Sequence, residues 1–153
     1  MTRVALDSNI LAYFAGVDRS ADDRAKIDRI QTLIKRLPAV TLIAPVQALG
    51  ELFVVLRKSG ASAADARDVL VRFAEGFTTP SSEPGTALAA ADLVVDHKLQ
   101  YWDAMIVTAA ADAGCALLLS EDMQHGFVTR GLTVVNPLAR ELHPKLAGII
   151  APD

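Results

Sequence analysis

The sequence predicts an α/β fold in which a short, mostly parallel β-sheet is flanked by helices on both faces. Apolar runs of strand length alternate with longer segments of helical periodicity, as in sheets whose strands are joined by crossover helices. The strand candidate at residues 116–119 is wholly apolar, which is typical of a strand covered on both faces. The chain of 153 residues is long enough for one such domain.

The first half of the chain contains the first two predicted strands. Val4 to Leu6 is a short apolar strand that leads into a helix. Ser20 resembles the N-terminal cap of a second helix, which is amphipathic and which Pro38 is expected to end. Val40 to Ala44 is the second strand, and Pro45 suits the first position of the helix that follows.

The second half continues the alternation of helices and strands. Ser62 is expected to cap a helix, and Phe77 to Thr79 is a candidate for a brief strand. The remaining predicted elements are helices over residues 86–97 and 101–113 and strands over residues 116–119 and 132–135. We expect residues 1–137 to form the domain and residues 138–153 to be a C-terminal tail, in which we find no motif.

Composition excludes several classes of protein. The net charge of −3 argues against a broad basic face for nucleic acid, so local basic residues or bound cations would have to attract RNA. Charged and polar residues interrupt the apolar stretches before they reach the ~18 residues of a membrane span. The start of the chain has no secretion signal, so we expect a cytoplasmic protein. A single cysteine excludes an internal disulfide.

Four acidic residues are candidates for one site. Asp7 and Asp122 follow predicted strands, and ligands of open α/β sheets bind beyond the carboxyl ends of the strands. Glu51 and Asp103 lie in apolar helical segments. Carboxylates in such surroundings are rare unless they are paired or bind a metal.

A divalent cation would resolve the repulsion among these acids. Two like charges ~4 Å apart repel by about 4 kcal/mol at an effective dielectric constant near 20. The candidate ligands are oxygen atoms without His or Cys, which favours Mg²⁺ or Mn²⁺ over zinc. Such an ion can activate water for phosphodiester hydrolysis.

Four sequence segments together resemble one known family. They are VALDSNILAYF, PVQALGEL, YWDAMIVTAA and LLLSEDMQHG, in this order along the chain. Their order, spacing and predicted secondary structure resemble those of PIN-domain nucleases, especially VapC-type toxins of toxin–antitoxin pairs. The resemblance runs from about Val4 to Val135 and implies a PIN-like fold.

The resemblance also implies a function and a set of site residues. It implies an endoribonuclease that uses Mg²⁺ or Mn²⁺ to cut single-stranded or loop RNA, leaving 5′-phosphate and 3′-hydroxyl ends. It further implies the toxin of a type II toxin–antitoxin system, a homodimer that a small antitoxin protein inhibits. The acidic quartet would be Asp7, Glu51, Asp103 and Asp122, with Asn9 and Ser120 as supporting polar residues. Glu121 is adjacent to Asp122, so the sequence leaves open which of these two carboxylates reaches the metal.

Other interpretations stay open at this point. Haloacid-dehalogenase-type enzymes and response-regulator receivers also begin with a strand that ends in Asp, but they require a second acid where this chain has Asn9. A non-catalytic PIN-like module that binds protein or RNA is the remaining alternative. Tyr101 and Trp102 suit either base stacking or core packing, and core packing is the expected role of at least one of them.

Overall fold

The computed structural model describes residues 1–37 and 40–152 and contains one five-stranded sheet. Its strands are β1 (Thr2–Leu6), β2 (Val40–Ile43), β3 (Leu117–Leu119), β4 (Val128–Thr129) and β5 (Leu132–Val135). The spatial order is β2-β1-β3-β5-β4. Strands β1, β2, β3 and β5 are parallel, whereas β4 is antiparallel to β5. The predicted α/β fold with a short, mostly parallel sheet is confirmed.

The central strands are buried on both faces. All residues of β3 and β5 are buried, and β1 ends in three consecutive buried residues. Successive side chains of a strand point to opposite faces, so consecutive burial requires cover on both sides of the sheet. The described helices are α1 (Ser8–Phe14), α2 (Asp23–Lys35), α3 (Val46–Lys58), α4 (Ala63–Gly76), α5 (Pro84–His97), α6 (Tyr101–Asp112) and α7 (Pro144–Ala147).

The helix starts are only partly as predicted. The Ser62 hydroxyl accepts a hydrogen bond from the Asp65 N–H at 3.0 Å and caps α4, as expected. Ser20 does not cap α2, because it enters the hydrogen bond at the start of the helix as a backbone N–H donor, and not as a side-chain acceptor. The Asp23 carboxylate in the first turn instead accepts hydrogen bonds from the N–H groups of Arg19 and Ser20. Helix α3 begins one residue after Pro45.

Two short segments of the sheet also differ from the prediction. Strand β4 was not predicted. It is two residues long and joins β5 through Arg130 and Gly131, both at positive φ, as in a tight hairpin turn. The candidate strand at Phe77 to Thr79 is reduced to a parallel bridge between Thr78 and Ile43. The expected role of Pro38 falls on a residue outside the described ones.

The C-terminal residues pack against the domain. The Leu146 side chain in α7 is completely buried. The Lys145 ammonium donates to the Thr133 hydroxyl at 2.8 Å, and the Arg36 guanidinium donates to the Ala151 carbonyl at 2.8 and 3.1 Å. Residues beyond 137 thus contribute to the same core as the sheet. No helix in the described part of the chain combines the length and apolar character needed to cross a membrane.

We predict that Leu146→Ala destabilises the protein by about 2–5 kcal/mol, because it removes a fully buried side chain and leaves a cavity. Leu142→Ala is the matched control, since Leu142 is 40% exposed in the same segment and should cost well under half as much. Urea denaturation of both variants measures the difference. Equal losses of unfolding free energy would show that the C-terminal residues do not share the core.

Candidate active site

The pairing of β1 with β3 brings two predicted site residues together. Leu6 lies beside Leu119 in the sheet, so Asp7 and Ser120 follow at the same carboxyl edge. The Asp7 N–H donates to the Leu119 carbonyl at 2.9 Å, and the Ser120 hydroxyl donates to the Asp7 carboxylate at 2.7 Å. Ser120 therefore holds the Asp7 side chain in place from the neighbouring strand.

Asp7 is a buried carboxyl group in an acidic environment. Its side chain is 3% exposed and caps α1 by accepting a hydrogen bond from the Ser8 N–H at 2.7 Å. Burial raises the pKa of Asp7 to about 6, although the hydrogen bonds from Ser120 and Ser8 favour the ionised form. The negative charges of Glu51 and Asp103 act in the same direction as burial.

Helices α3 and α6 supply the next two acids. Glu51 is half-buried in the middle of α3, and its carboxylate accepts a hydrogen bond from the Ser8 hydroxyl at 2.8 Å. Asp103 lies in the first turn of α6. Burial, followed by the charges of Glu51 and Asp122, raises the pKa of Asp103 above its ordinary value. These acids come from separate elements and influence one another electrostatically.

The structure distinguishes between the neighbouring acids Glu121 and Asp122. The Asn9 amide donates to the Asp122 carboxylate, which lies on the side of the other three acids. Glu121 instead accepts a hydrogen bond from the Tyr13 hydroxyl at 2.8 Å and forms an ion pair with Lys26 at 3.0 Å. Its charge is thus neutralised outside the pocket.

One pocket of about 570 Å³ contains all four acids. Asn9 lines it with them, whereas Ser120 does not line it and acts on the pocket through Asp7. None of the described lining residues is Lys, Arg or His. The lining consists of Asp7, Ser8, Asn9, Gln47, Gly50, Glu51, Val54, Val55, Gln100, Trp102, Asp103 and Asp122.

Several lining residues were not among the predicted site residues. Gln47 lies one helical turn before Glu51, a spacing that places both on one face of α3 and could have indicated it. The Gln47 side-chain oxygen is buried without a hydrogen-bond partner. Val54 and Val55, which extend the apolar surface of α3, line the pocket as well. Ser8, which binds Glu51, also had no predicted role.

The donor set fits a hard divalent cation, but the side chains are not arranged around one point. Residues 1–37 and 40–152 contain no group of three Asp, Glu, His or Cys side chains placed to hold one ion. In this arrangement Asp7 accepts hydrogen bonds from Ser8 and Ser120, Glu51 accepts one from Ser8, and Asp122 accepts one from Asn9. Binding a shared ion requires these carboxylates to reorient.

We predict that Asp7→Asn stabilises the metal-free protein by about 1–3 kcal/mol above pH 6. The folded-state pKa of about 6 exceeds the ordinary value of 3.8, so the stability contributed by this group is complete below pH 3.8 and is lost as the pH rises through 6. The uncharged amide avoids this loss. The gain should therefore shrink as the pH falls towards 4.

Urea denaturation in the presence of a chelator, measured across this pH range, tests the prediction. Asp92→Asn is the control, because Asp92 is exposed on α5 and does not line the acidic pocket. An Asp7→Asn variant that is less stable than the unmodified protein at every pH would contradict the electrostatic interpretation.

Comparison with known proteins agrees with this architecture. The chain matches the PIN domain family over residues 4–127. No curated protein matches it by sequence. A toxin–antitoxin complex from Klebsiella pneumoniae aligns with a TM-score of 0.63 and 19% identity, covering 88% of this chain and 97% of the other.

Two further solved structures show the same fold. VapC20 from Mycobacterium tuberculosis, described as a sarcin–ricin-loop-cleaving toxin, aligns with a TM-score of 0.61 and 15% identity over 75% of this chain and 86% of that chain. VapBC2 from Rickettsia felis, bound to a DNA fragment from its promoter, aligns with a TM-score of 0.59 and 15% identity. This alignment covers 79% of this chain and 89% of that chain. Because the family match spans most of the sequence, the protein belongs to the PIN domain family.

Proposed function

We propose that this protein is a divalent-metal-dependent endoribonuclease in which Asp7, Glu51, Asp103 and Asp122 bind the metal and carry catalysis. The observation that supports this proposal is that carboxylates from four separate elements or loops line one pocket whose described lining includes no cationic side chain. Burial, with a further contribution from repulsion among these acids, raises the cost of ionising Asp7 and Asp103. A bound cation offsets that cost, which gives the acids a common role.

The ion we propose is Mg²⁺ or Mn²⁺, because the available ligands are hard oxygen atoms. When bound, it would activate water and stabilise negative charge on the phosphate. Neighbouring polar side chains hold three of these acids in place in the metal-free protein, and the acids would turn from these positions towards the ion. Ser120 holds Asp7, Asn9 holds Asp122 and Ser8 holds Glu51. Asn9 and Ser120 are therefore supporting residues in this proposal.

The proposed substrate is RNA, and the proposed setting is a type II toxin–antitoxin system. Membership of the PIN domain family and the fold shared with VapC proteins support both. The similar complexes suggest that a small antitoxin protein inhibits this chain too. The acidic pocket would accept an antitoxin Arg or Lys in place of the metal's charge.

We also propose that the protein acts in the cytoplasm as a homodimer. Closed two-fold dimers are the commonest oligomers, and large exposed apolar side chains provide surface for self-association. Leu88 and Val95 on α5 are 70% and 79% exposed.

We predict that the purified protein cleaves single-stranded RNA with Mn²⁺ and that a chelator stops cleavage. Asp7→Asn and Asp103→Asn should each lower the rate by about a hundredfold or more, because each removes a charge from the proposed metal site. Glu121→Gln is the matched control and should keep most of the activity, since Glu121 contacts Tyr13 and Lys26 outside the pocket.

Gel analysis of a 5′-labelled RNA measures these rates. Absence of metal-dependent cleavage in protein that is folded and free of any antitoxin would favour the non-catalytic binding module. If Glu121→Gln lost activity while Asp122→Asn kept it, Glu121 and not Asp122 would be the fourth acid of the site.

We predict that the purified chain has the mass of a dimer in light scattering at micromolar concentration and that an antitoxin copurifies from the native host. A monomer whose mass does not change with concentration would contradict the dimer. Recovery of fully active nuclease without a bound protein under gentle conditions would contradict a tight antitoxin.

A further inference from the structure

Trp102 is exposed at the acidic pocket. Its side chain is 57% exposed, lines the pocket and directly precedes Asp103. Tyr101 is 37% exposed and packs against the Trp102 ring at 71°, with 5.3 Å between ring centroids. The expectation that at least one of these rings lies in the core is therefore wrong. A large aromatic surface left open beside a site is characteristic of ligand contact.

The charges of the pocket limit how it can hold RNA. Phosphate groups are repelled by the four carboxylates, and the described lining residues include no Lys, Arg or His to attract them. The whole chain has a net charge of −3. Within this lining, contacts other than the one through a metal ion therefore have to be made with uncharged parts of the RNA such as the bases. Aromatic side chains hold bases by stacking, which does not require a positive charge.

We propose that Trp102 stacks on an unpaired base of the RNA next to the scissile phosphate and so positions the substrate. This inference rests on the proposed nuclease function. Trp102 and the four acids line the same pocket, so a base stacked on Trp102 lies close to the acids. Val54 and Val55 line the same pocket and offer apolar contact to that base.

The same arrangement selects unpaired RNA. In a duplex both faces of each base are covered by neighbouring bases, so no face is available to Trp102. Single-stranded segments and loops present bases that can be splayed onto an aromatic ring. Trp102 thereby acts as a positioning residue for substrate, whereas the acids carry the chemistry.

Fluorescence tests the stacking directly, because Trp102 is the single tryptophan of the chain. The probe is an unstructured RNA of roughly eight nucleotides, a length within the usual range for single-strand sites, titrated into Asp7→Asn protein to prevent cleavage. We expect saturable quenching of the Trp102 emission by this RNA and little quenching by the same sequence in a duplex. Binding detected by anisotropy of a labelled RNA without any change in Trp102 emission would overturn the proposal.

The second readout is the kinetics of RNA cleavage, measured on variants of Trp102 that keep Asp7. We expect Trp102→Ala to raise KM for the same RNA by about tenfold or more, with a smaller effect on kcat. Trp102→Phe keeps an aromatic face and should recover most of the loss. Val128→Ala is the control, because Val128 is 60% exposed on β4 and does not line the pocket.

The outcomes separate the two proposals. Cleavage with an unchanged KM in Trp102→Ala overturns the stacking and leaves the nuclease function intact. Quenching by single-stranded RNA without cleavage under any metal supports the stacking and contradicts the nuclease. If Trp102→Ala keeps its KM but converts a dimer into a monomer in light scattering, Trp102 belongs to a protein interface and the stacking is overturned.

Discussion

The parallel pairing of β1 with β3 is the constraint on which the candidate site depends. It sets Leu6 beside Leu119, so that the next residues, Asp7 and Ser120, meet at the carboxyl edge of the sheet and form a hydrogen bond. A one-residue slip of either strand would turn its own side chain to the other face and separate the pair. All residues of β3 are buried, so a slip would also force the closely packed apolar side chains on both faces to repack.

The acidic pocket that the proposed function requires lowers the stability of the metal-free protein. Burial and neighbouring charges raise the pKa of Asp7 to about 6, so its ionisation at neutral pH costs folding free energy in the absence of a cation. Elsewhere in the chain an acid has a cationic partner, as Glu121 has in Lys26. No such partner lines the pocket among the described residues, which leaves the four carboxylates available to an external cation.

Sequence patterns predicted most of the fold, because long periodic segments and wholly apolar runs leave few alternatives. They also placed Asp7 and Ser120 correctly, since strand ends are readable from the sequence. The distinction between Glu121 and Asp122 was not readable, because it depends on contacts from α1 and α2 that are distant in sequence. Strand β4 has two residues, too few for a periodic pattern to appear.

The most direct test of the account is thermal unfolding with and without Mn²⁺. A ligand that binds only the folded state stabilises it, by about 2.7 kcal/mol at a hundred times its Kd. If the four carboxylates form one metal site, Mn²⁺ should raise the Tm of the unmodified protein, and both Asp7→Asn and Asp103→Asn should largely abolish that increase. An increase of equal size in either variant, or none in the unmodified protein, would contradict the shared site.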